Sequence, residues 1–277
     1  KWDGIIKIGG TPHLRFWRDL EEKYPELPIL SLGESPFSGS TRARHFHLCA
    51  EQLESLQTSH NHWDFLKFHE LDRWFHDQKQ DLYSKYPYAE PTLIHKLSRI
   101  IENSSMLFLG NSLPIREWEL AADSRFRDRL ILANRGANGI DGQLSSFFGH
   151  CNSSRPNWAL LGDMTFLYDM SALLLKNELS PECHFQICVM NNKGGRIFSR
   201  LPQYQIESIQ NSRKRFLETE HTLEFSPLAQ MFSLAYEKWD GRNPLASPGP
   251  QSLIEITPDP DDTLGFWNEF DAMWRTQ

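Results

Sequence analysis

The chain has 277 residues, of which 39% are hydrophobic and 12% aromatic, so it can bury one large core or two medium ones. Its net charge of −7 argues against a nucleic-acid-binding surface, which would be basic, and no apolar run approaches the length of a membrane span. The four cysteines include no CxxC pair, and we expect them to be reduced thiols in a cytoplasmic protein.

The first part of the sequence, 1–88, alternates strand-like and helix-like segments and is expected to be what remains of a smaller α/β domain. Its predicted strands cover 4–10 and 27–32, and its predicted helices cover 14–24 and 60–86. Because the sequence opens at once on a strand-like run and lacks an initial Met, we expect it to be cut from a longer protein.

Histidines are concentrated in this first part. His45, His47 and Cys49 alternate, so they would share one face of a strand and could hold zinc. Their spacing matches no familiar zinc pattern, and scattered, partly exposed histidines are the alternative interpretation. His60, His62, His69 and His76 belong to the same candidate constellation.

The second part, 89–277, follows a break at Tyr86-Pro87 and a new helix start at Glu90-Pro91. Strands and helices alternate along it, which predicts a parallel sheet with helices on both faces. The predicted strands are 105–111, 130–134, 158–163, 184–192 and 252–257. The predicted helices are 91–101, 115–123, 165–179, 226–239 and 261–274.

An acid and an amide end two of these predicted strands. Gly162-Asp163 ends one strand, and Asn192, followed by Gly194, ends the next, with a helix between them. Such a strand–helix–strand unit is a right-handed crossover, so both residues are expected at the carboxyl edge of one sheet, where α/β proteins bind ligands. A carboxylate, an amide oxygen and a main-chain carbonyl suit Mg²⁺ together with phosphate oxygens. The pattern indicates a metal–diphosphate site, although a buried strand that ends in an acid is common by itself.

Three further loops follow predicted strands and can reach the same cleft. They are GNSLPIR (110–116), NRGANGIDG (134–142) and NNKGGRIFS (191–199). With Asp163 they closely resemble the 2-succinyl-5-enolpyruvyl-6-hydroxy-3-cyclohexene-1-carboxylate (SEPHCHC) synthases, which are thiamine-diphosphate enzymes of menaquinone or phylloquinone synthesis. The resemblance implies a thiamine-diphosphate-binding fold for 89–277, as the diphosphate domain. It also implies that 1–88 is the remainder of a transhydrogenase-III-like central domain.

The resemblance implies a set of cofactor contacts. Asp163, the Asn192 side chain and the Gly194 carbonyl would hold Mg²⁺ or Mn²⁺ on the diphosphate of thiamine diphosphate. Thr165 would contact the phosphates, with a plain helix N-cap as its alternative role, and Ile140 would be the apolar wedge that bends the cofactor, with ordinary core as its alternative. The complete set is Ile140, Gly162, Asp163, Met164, Thr165, Asn192 and Gly194.

The resemblance also implies a substrate site. The family joins 2-oxoglutarate to isochorismate, and guanidinium groups suit such dicarboxylates because they bind carboxylates bidentately. Arg116 and Arg135 lie on neighbouring predicted loops, whereas Arg15 lies where the resemblance is looser. Ile197 and Phe198 would line the apolar side, for which packing alone is the alternative. The complete set is Ser112, Arg116, Arg135, Ile197, Phe198 and Arg15.

No catalytic residue is predicted within the chain. The Glu that activates thiamine diphosphate sits, in this family, in an N-terminal pyrimidine-binding domain, so we expect the chain alone to be inactive and to need that domain as a partner. We expect a homodimer or homotetramer. The alternatives are another thiamine-diphosphate enzyme, such as an acetolactate-synthase-like enzyme or a 2-oxoacid decarboxylase, and a non-catalytic phosphate-binding module. The arginines argue against the first alternative, and the lack of a GxGxxG turn after the first strand weakens a dinucleotide-binding module.

Overall fold

The chain divides into two compact units, Lys1–Lys67 and Phe68–Gln277. Each unit contains one parallel sheet, so the predicted α/β class is confirmed. The domain limits of 1–88 and 89–277 stay a prediction. The structure, a computed structural model, describes residues 3–9, 15–34, 40–49, 51–52, 66–125, 128–134, 139–200, 210–246 and 249–273.

The first unit is built on a three-stranded sheet in the order β1-β2-β3. Its strands are β1 (Ile5–Ile8), β2 (Ile29–Gly33) and β3 (Arg44–His47), and helix α1 (Arg15–Lys23) follows β1. Trp17 and Leu20 of α1 pack on Ile29 of β2 and form a small buried core. The spacing of these apolar residues on α1 is that of an amphipathic helix, as predicted.

The histidines of the first part do not gather into a metal site within the described ranges. His45 lies on β3 and its Nδ1 is 2.9 Å from the Ser31 hydroxyl on β2, so the ring has a polar partner. No group of three or more His, Cys, Asp or Glu side chains that could hold a metal ion occurs among the residues that the structure describes. His60 and His62 lie outside those residues.

The second unit contains six parallel strands in the order β5-β4-β6-β7-β9-β8. The strands are β4 (Met106–Leu109), β5 (Leu130–Leu132), β6 (Asn157–Gly162), β7 (Phe185–Met190), β8 (Ala235–Trp239) and β9 (Gln251–Ile256). Gly162 is paired with Met190 across β6 and β7. The two strands therefore end side by side, and Asp163 and Asn191 follow directly at the same edge.

Helices cover both faces of this sheet, as predicted. Trp158 and Leu160 of β6 belong to a core cluster that includes Phe266, whereas Ala159 and Leu161 belong to a second cluster that includes Phe147. The alternation along β6 sends successive side chains to opposite faces. The helices are α2 (Leu66–Lys85), α3 (Glu90–Ile100), α4 (Leu113–Ala121), α5 (Gln143–His150), α6 (Asp163–Tyr168), α7 (Gln210–Arg213), α8 (Ser226–Met231) and α9 (Pro260–Met273). Within the described ranges, no helix has the length and apolarity needed to cross a membrane.

The predicted helix over 165–179 is wrong as a continuous α-helix. α6 ends at Tyr168, and a 3-10 helix, Met170–Glu178, follows it. The break is at Asp169, whose carboxylate accepts hydrogen bonds from the Ser145 main-chain N–H at 2.7 Å and from its hydroxyl at 3.0 Å. Ser145 lies in the first turn of α5, where main-chain N–H groups lack partners within the helix. The Asp169 carboxylate therefore caps the first turn of α5, and α6 ends before this residue.

The predicted helix over 226–239 is also wrong in its second half. α8 ends at Met231, Ser233 has a left-handed φ of 52°, and the chain then forms β8 beside β9. Tyr236 and Trp239 favour a strand, and the Tyr236 hydroxyl donates to the Glu255 carboxylate at 2.8 Å. The apolar spacing of this segment fits a helix and a strand about equally, and pairing with β9 decides between them.

Candidate functional site

The carboxyl ends of the central strands of the second unit open on a cavity of about 620 Å³. This volume is typical of sites for small molecules and cofactors. The cavity brings together eleven of the residues predicted from the sequence: Ser112, Arg116, Ile140, Gly162, Asp163, Met164, Thr165, Asn192, Gly194, Ile197 and Phe198. Arg135 and the side chain of Arg15 lie outside the described residues. The predicted convergence of the strand-end loops is therefore observed, while the roles of the residues stay predictions.

Asp163 is a buried acid of the cavity, with 2% of its surface exposed. Its Oδ1 accepts from the Met164 N–H at 2.6 Å, and its Oδ2 accepts from the Gly194 N–H at 2.9 Å. Burial raises the pKa of the carboxyl, while the hydrogen bonds from Gly194 and Met164 lower it. These hydrogen bonds fix the position of the carboxylate without a ligand. Burial of its negative charge is unfavourable, and a bound cation would offset that desolvation cost.

His221 contacts the same carboxylate. Its Nε2 is 3.2 Å from Asp163 Oδ2, although the angle is not that of a hydrogen bond. The Leu223 N–H donates to His221 Nδ1 at 3.2 Å, so the proton of a neutral ring is on Nε2. The contact of His221 with Asp163 is therefore one of charge and proximity, not a hydrogen bond.

Asn192 presents an unsatisfied oxygen at the cavity wall. Its Nδ2 donates to both carboxylate oxygens of Glu90, each at 3.0 Å. Its Oδ1 is buried and has no hydrogen-bond partner among the described residues. A buried acceptor without a protein partner is rare, and such an atom often contacts a bound ion or an ordered water molecule.

Glu90 is itself a buried acid, 2% exposed, at the first position of α3. Burial raises its pKa to about 7, and the neighbouring charge of Asp163 acts in the same direction, while the hydrogen bonds with Asn192 and Glu117 act against it. Three buried acids, Glu90, Asp163 and Glu218, thus line one cavity. Such a concentration of buried acid favours a cation nearby.

Gly194, two residues after Asn192, has a backbone conformation that only glycine adopts easily. Its φ is 134°, and a Cβ at this position would overlap the main-chain oxygen of Glu218. The Gly194 carbonyl accepts from the Arg196 N–H at 2.8 Å, which leaves one lone pair of that oxygen for a ligand.

The donor set around the cavity fits a divalent metal. It consists of the Asp163 carboxylate, the unpartnered Oδ1 of Asn192 and the remaining lone pair of the Gly194 carbonyl. These are hard oxygen ligands with one carboxylate among them, which is the composition that Mg²⁺ accepts when phosphate oxygens and water complete its shell. Because two of the three donors are an amide and a main-chain carbonyl, this site requires no cluster of His, Cys, Asp and Glu side chains.

Arg196 is a cavity residue whose charge is paired. Its Nη1 donates to Glu218 at 2.8 Å and to Glu220 at 3.0 Å, and its Nε donates to the Asn192 main-chain oxygen at 3.0 Å. Glu218 is fully buried, so the pair with Arg196 compensates its charge. Arg196 therefore ties the loop of Asn192 to the segment that ends at Glu220.

Ser112 and Arg116 lie together at another wall of the cavity. Ser112 has φ 78° and ψ −129°, a conformation that is uncommon for any residue other than glycine. Arg116 is exposed, and its Nη1 donates to the Ser112 main-chain oxygen at 3.1 Å. Strained backbone of this kind is concentrated at ligand sites.

Ile140 lines the cavity on a loop that two amides hold. Asn111 Nδ2 donates to the Gly139 main-chain oxygen at 2.8 Å, and Gln143 Nε2 reaches the same oxygen at 3.4 Å. Ile140 is half-buried at the cavity wall, which suits an apolar contact to a ligand. Gly162, not Thr165, is the N-cap of α6, so the alternative role of Thr165 as an N-cap does not hold.

Sequence reasoning missed the residues that support this site. Asn111 and Arg196 lie inside loops that carried the resemblance, but no role was predicted for them or for His221. Glu90 was interpreted only as part of a helix start. The signal that could have found it is an acid at the head of a helix, EPTLIHKL, whose first turn also holds the apolar residues Pro91 and Leu93.

Comparisons with known proteins give relatives over almost the whole chain, although no family model matches it. The chain is 36% identical to a 2-succinyl-5-enolpyruvyl-6-hydroxy-3-cyclohexene-1-carboxylate synthase of Bdellovibrio bacteriovorus, over 99% of the chain and 50% of that protein. It is 29% identical to the synthase of Akkermansia muciniphila, over 94% of the chain and 49% of that protein. It is 28% identical to the synthase of Lysinibacillus sphaericus, over 98% of the chain and 49% of that protein. The resemblance is thus confirmed: the chain is similar to SEPHCHC synthases over almost its whole length, and it spans about half the length of the curated relatives that it matches.

Proposed function

We propose that the chain is the carboxy-terminal portion of a SEPHCHC synthase, which decarboxylates 2-oxoglutarate and adds the succinyl-semialdehyde unit to isochorismate. The observation that carries the proposal is the convergence of Asp163, Asn192 and Gly194 with Ile140 and Ser112 on one cavity. This is the set that the family resemblance implied from separate loops. The activity, the substrates and the partners of the whole protein are all part of the proposal.

The proposed cofactor is thiamine diphosphate with Mg²⁺ or Mn²⁺. Asp163, Asn192 Oδ1 and the Gly194 carbonyl would hold the cation, and Gly162, Met164 and Thr165 would lie along the diphosphate. When bound, thiamine diphosphate supplies the centre that stabilises negative charge as a 2-oxo acid loses CO₂. The residues of this chain would bind, orient and shield thiamine diphosphate, and Ile140 would fix the bend of the cofactor.

The proposed substrate contacts lie beside this set. The Arg116 guanidinium and the Ser112 backbone share one wall of the cavity, and Ile197 and Phe198 give it an apolar wall. A guanidinium fork beside an apolar surface suits a dicarboxylate with a hydrocarbon ring or chain. Arg135 and Arg15 complete the set by resemblance alone.

The proposal includes a partner domain and an assembly. The activating Glu and the pyrimidine side of the cofactor site would come from the N-terminal domain of the family. Tyr168, Met170 and Leu174 are exposed apolar side chains on neighbouring turns, 65%, 42% and 61% exposed, and they support a homodimer or homotetramer in which this surface is covered. A cytoplasmic location is likewise part of the proposal.

Binding specificity tests the proposal. Calorimetry should detect binding of thiamine diphosphate to the chain in the presence of Mg²⁺, weaker binding without Mg²⁺, and no comparable binding of NAD or ATP. Preference for NAD or ATP would favour the non-catalytic phosphate-binding module and overturn the proposal.

Substrate tests separate the proposed enzyme from other thiamine-diphosphate enzymes. With thiamine diphosphate and Mg²⁺, the chain alone should release no CO₂ from 2-oxoglutarate, because the activating acid would lie elsewhere. When the chain is supplemented with the N-terminal half of the Bdellovibrio bacteriovorus relative, 2-oxoglutarate should be consumed only together with isochorismate. Use of pyruvate instead would indicate an acetolactate-synthase-like enzyme or a 2-oxoacid decarboxylase.

A further inference from the structure

The hydrogen bonds between Glu90 and Asn192 distinguish the two ends of the Asn192 amide. Nδ2 donates to Glu90 Oε1 and Oε2, each at 3.0 Å, while Oδ1 has no hydrogen-bond partner among the described residues. An amide can rotate by half a turn and exchange its two ends at little steric cost. The hydrogen bonds from Asn192 favour the ionised form of Glu90, and an ionised carboxylate can only accept, so it pairs with the nitrogen end and rejects the oxygen end.

Glu90 is held firmly enough to impose this choice. It is the first residue of α3, and its main-chain N–H donates to the Thr263 hydroxyl of α9 at 3.0 Å. Its side chain is almost fully buried and lies beside the buried carboxyl of Glu117 on α4. Burial beside neighbouring helices restricts the rotamers of the Glu90 side chain.

We propose that Glu90 is a positioning residue of the cation site, which holds the Asn192 amide with Nδ2 on the carboxylate so that Oδ1 is the atom presented to the metal. The proposal rests on the proposed function, because the cation it serves is the Mg²⁺ or Mn²⁺ of thiamine diphosphate. It goes beyond the ligand set, since Glu90 would contact neither the metal nor the diphosphate. Residues that orient metal ligands typically change metal affinity by about 10- to 100-fold when they are replaced.

Glu90→Gln tests the orientation directly. A glutamine can donate as well as accept, so Asn192 can pair with it in either orientation, including the one that turns Oδ1 away from the metal. A free choice between the two orientations lowers the affinity for Mn²⁺ about twofold, and we expect a fall between that value and about 100-fold, the upper range for residues that orient metal ligands, measured with thiamine diphosphate present. Glu90→Met, which fills similar space and is only a weak hydrogen-bond acceptor, should cause a fall of the same order if the glutamine variant does not fold.

The same substitution in an Asn192→Asp background distinguishes positioning from a general structural role. A carboxylate at 192 has two equivalent oxygens, so its orientation no longer matters. It would face Glu90 at about the 3.0 Å that now separates the amide from the acid, and the two like charges would repel. Glu90→Gln should relieve that repulsion and raise Mn²⁺ affinity. The effect of Glu90→Gln therefore reverses its sign between the two backgrounds.

The measurement is a titration of Mn²⁺ into the chain with saturating thiamine diphosphate, in which electron paramagnetic resonance counts the free ion. Thermal unfolding without ligand checks each variant for folding. Glu102→Gln is the matched control, because Glu102 accepts hydrogen bonds from Trp158 Nε1 and Ser105 at the amino end of the sheet, away from the cavity. We expect Glu102→Gln to leave Mn²⁺ affinity unchanged.

Each outcome of these titrations bears on the role of Glu90. Reversal of sign supports the proposal. An unchanged affinity in Glu90→Gln, or a fall in both backgrounds, overturns it while the proposed function stands, provided that Asp163→Asn abolishes Mn²⁺ binding. If Asp163→Asn also leaves Mn²⁺ binding unchanged, the proposed cation site is wrong and the role of Glu90 falls with it.

Discussion

Gly162 and Gly194 both line the candidate cavity, yet the structure gives opposite reasons for a glycine at the two positions. At Gly162 the backbone has an ordinary φ of −77°, and a Cβ would meet nothing closer than the Thr165 hydroxyl at 3.8 Å and Pro114 at 3.9 Å. At Gly194 the φ of 134° is unfavourable for any other residue, and a Cβ would overlap the Glu218 main chain. Gly194 is needed by the fold, whereas Gly162 leaves open space at the cavity.

We therefore expect Gly162→Ala and Gly194→Ala to separate folding from binding. Gly162→Ala should leave the chain as stable as before or stabilise it by about 0.4–1 kcal/mol, because alanine lowers the entropy of the unfolded chain and fits the native backbone. Gly194→Ala should destabilise the chain by at least about 1–3 kcal/mol from its backbone conformation alone. For a chain of this size each 1 kcal/mol lowers the melting temperature by roughly 2–4 °C, so Gly194→Ala should melt roughly 2–12 °C earlier.

The effects on cofactor affinity should follow the opposite order for the folded protein. The added methyl of Gly162→Ala occupies space that the diphosphate is proposed to fill, and overpacking of this kind costs about 1–3 kcal/mol, which is a fall in affinity of roughly 5- to 150-fold. Thermal unfolding with and without thiamine diphosphate and Mg²⁺ measures both quantities. If Gly162→Ala kept the full ligand-induced shift, the diphosphate would not approach Gly162. If it melted as early as Gly194→Ala, the steric reasoning would be wrong.

Three further expectations concern charges. Mg²⁺ with thiamine diphosphate, at a hundredfold excess over Kd, should raise the melting temperature by roughly 5–11 °C. Asp163→Asn should abolish this increase, while Asp128→Asn, a control at an exposed residue, should retain it. Arg116→Ala and Arg135→Ala, in a chain supplemented with the N-terminal half of the Bdellovibrio bacteriovorus relative, should each lose about 2–5 kcal/mol in kcat/KM and keep cofactor affinity; wild-type turnover in both would refute the substrate site. Burial lowers the pKa of His95, so the unfolded chain binds a proton that the folded chain rejects. The contribution of His95 to the free energy of unfolding is therefore complete above about pH 6.5 and declines below it. The melting temperature of His95→Gln should accordingly depend less on pH.

The core of the site could be predicted because its signals are local. β6 and β7 are apolar runs, and the polar residues that end them stand next to each other in the sequence as Gly162-Asp163 and Asn191-Asn192. The handedness of crossovers then places both ends at one edge without any further information. The register of Gly162 with Met190 confirms that placement.

The supporting residues could not be predicted because their roles depend on long-range contacts. Glu90 and Asn192 are 102 residues apart, and nothing near Glu90 in the sequence indicates an amide partner. The same reason explains the two wrong helices. The local sequence around Asp169 and around Tyr236 is compatible with a helix. The hydrogen bond from Ser145 to the Asp169 carboxylate ends the first helix, and pairing with β9 makes the segment of Tyr236 a strand. In each case a tertiary contact overrides a local preference.

The distribution of backbone strain connects the fold to the proposed function. Among the described residues, four that are not glycine have positive φ: Ser112, Lys193, Thr219 and Ser233. Ser112 and Thr219 line the cavity, and Lys193 stands between the two proposed ligands Asn192 and Gly194. Each such conformation costs of the order of 1–3 kcal/mol, so a chain under selection for stability alone would not gather three of them around one cavity. Contacts with neighbouring segments stabilise these backbone conformations, as Lys193 shows. Its ammonium donates to the Leu223 main-chain oxygen at 2.7 Å and so anchors the turn that contains it. The loops are therefore held in the geometry of the cavity by their surroundings, which is what a site that must receive a cation and a diphosphate in fixed positions requires.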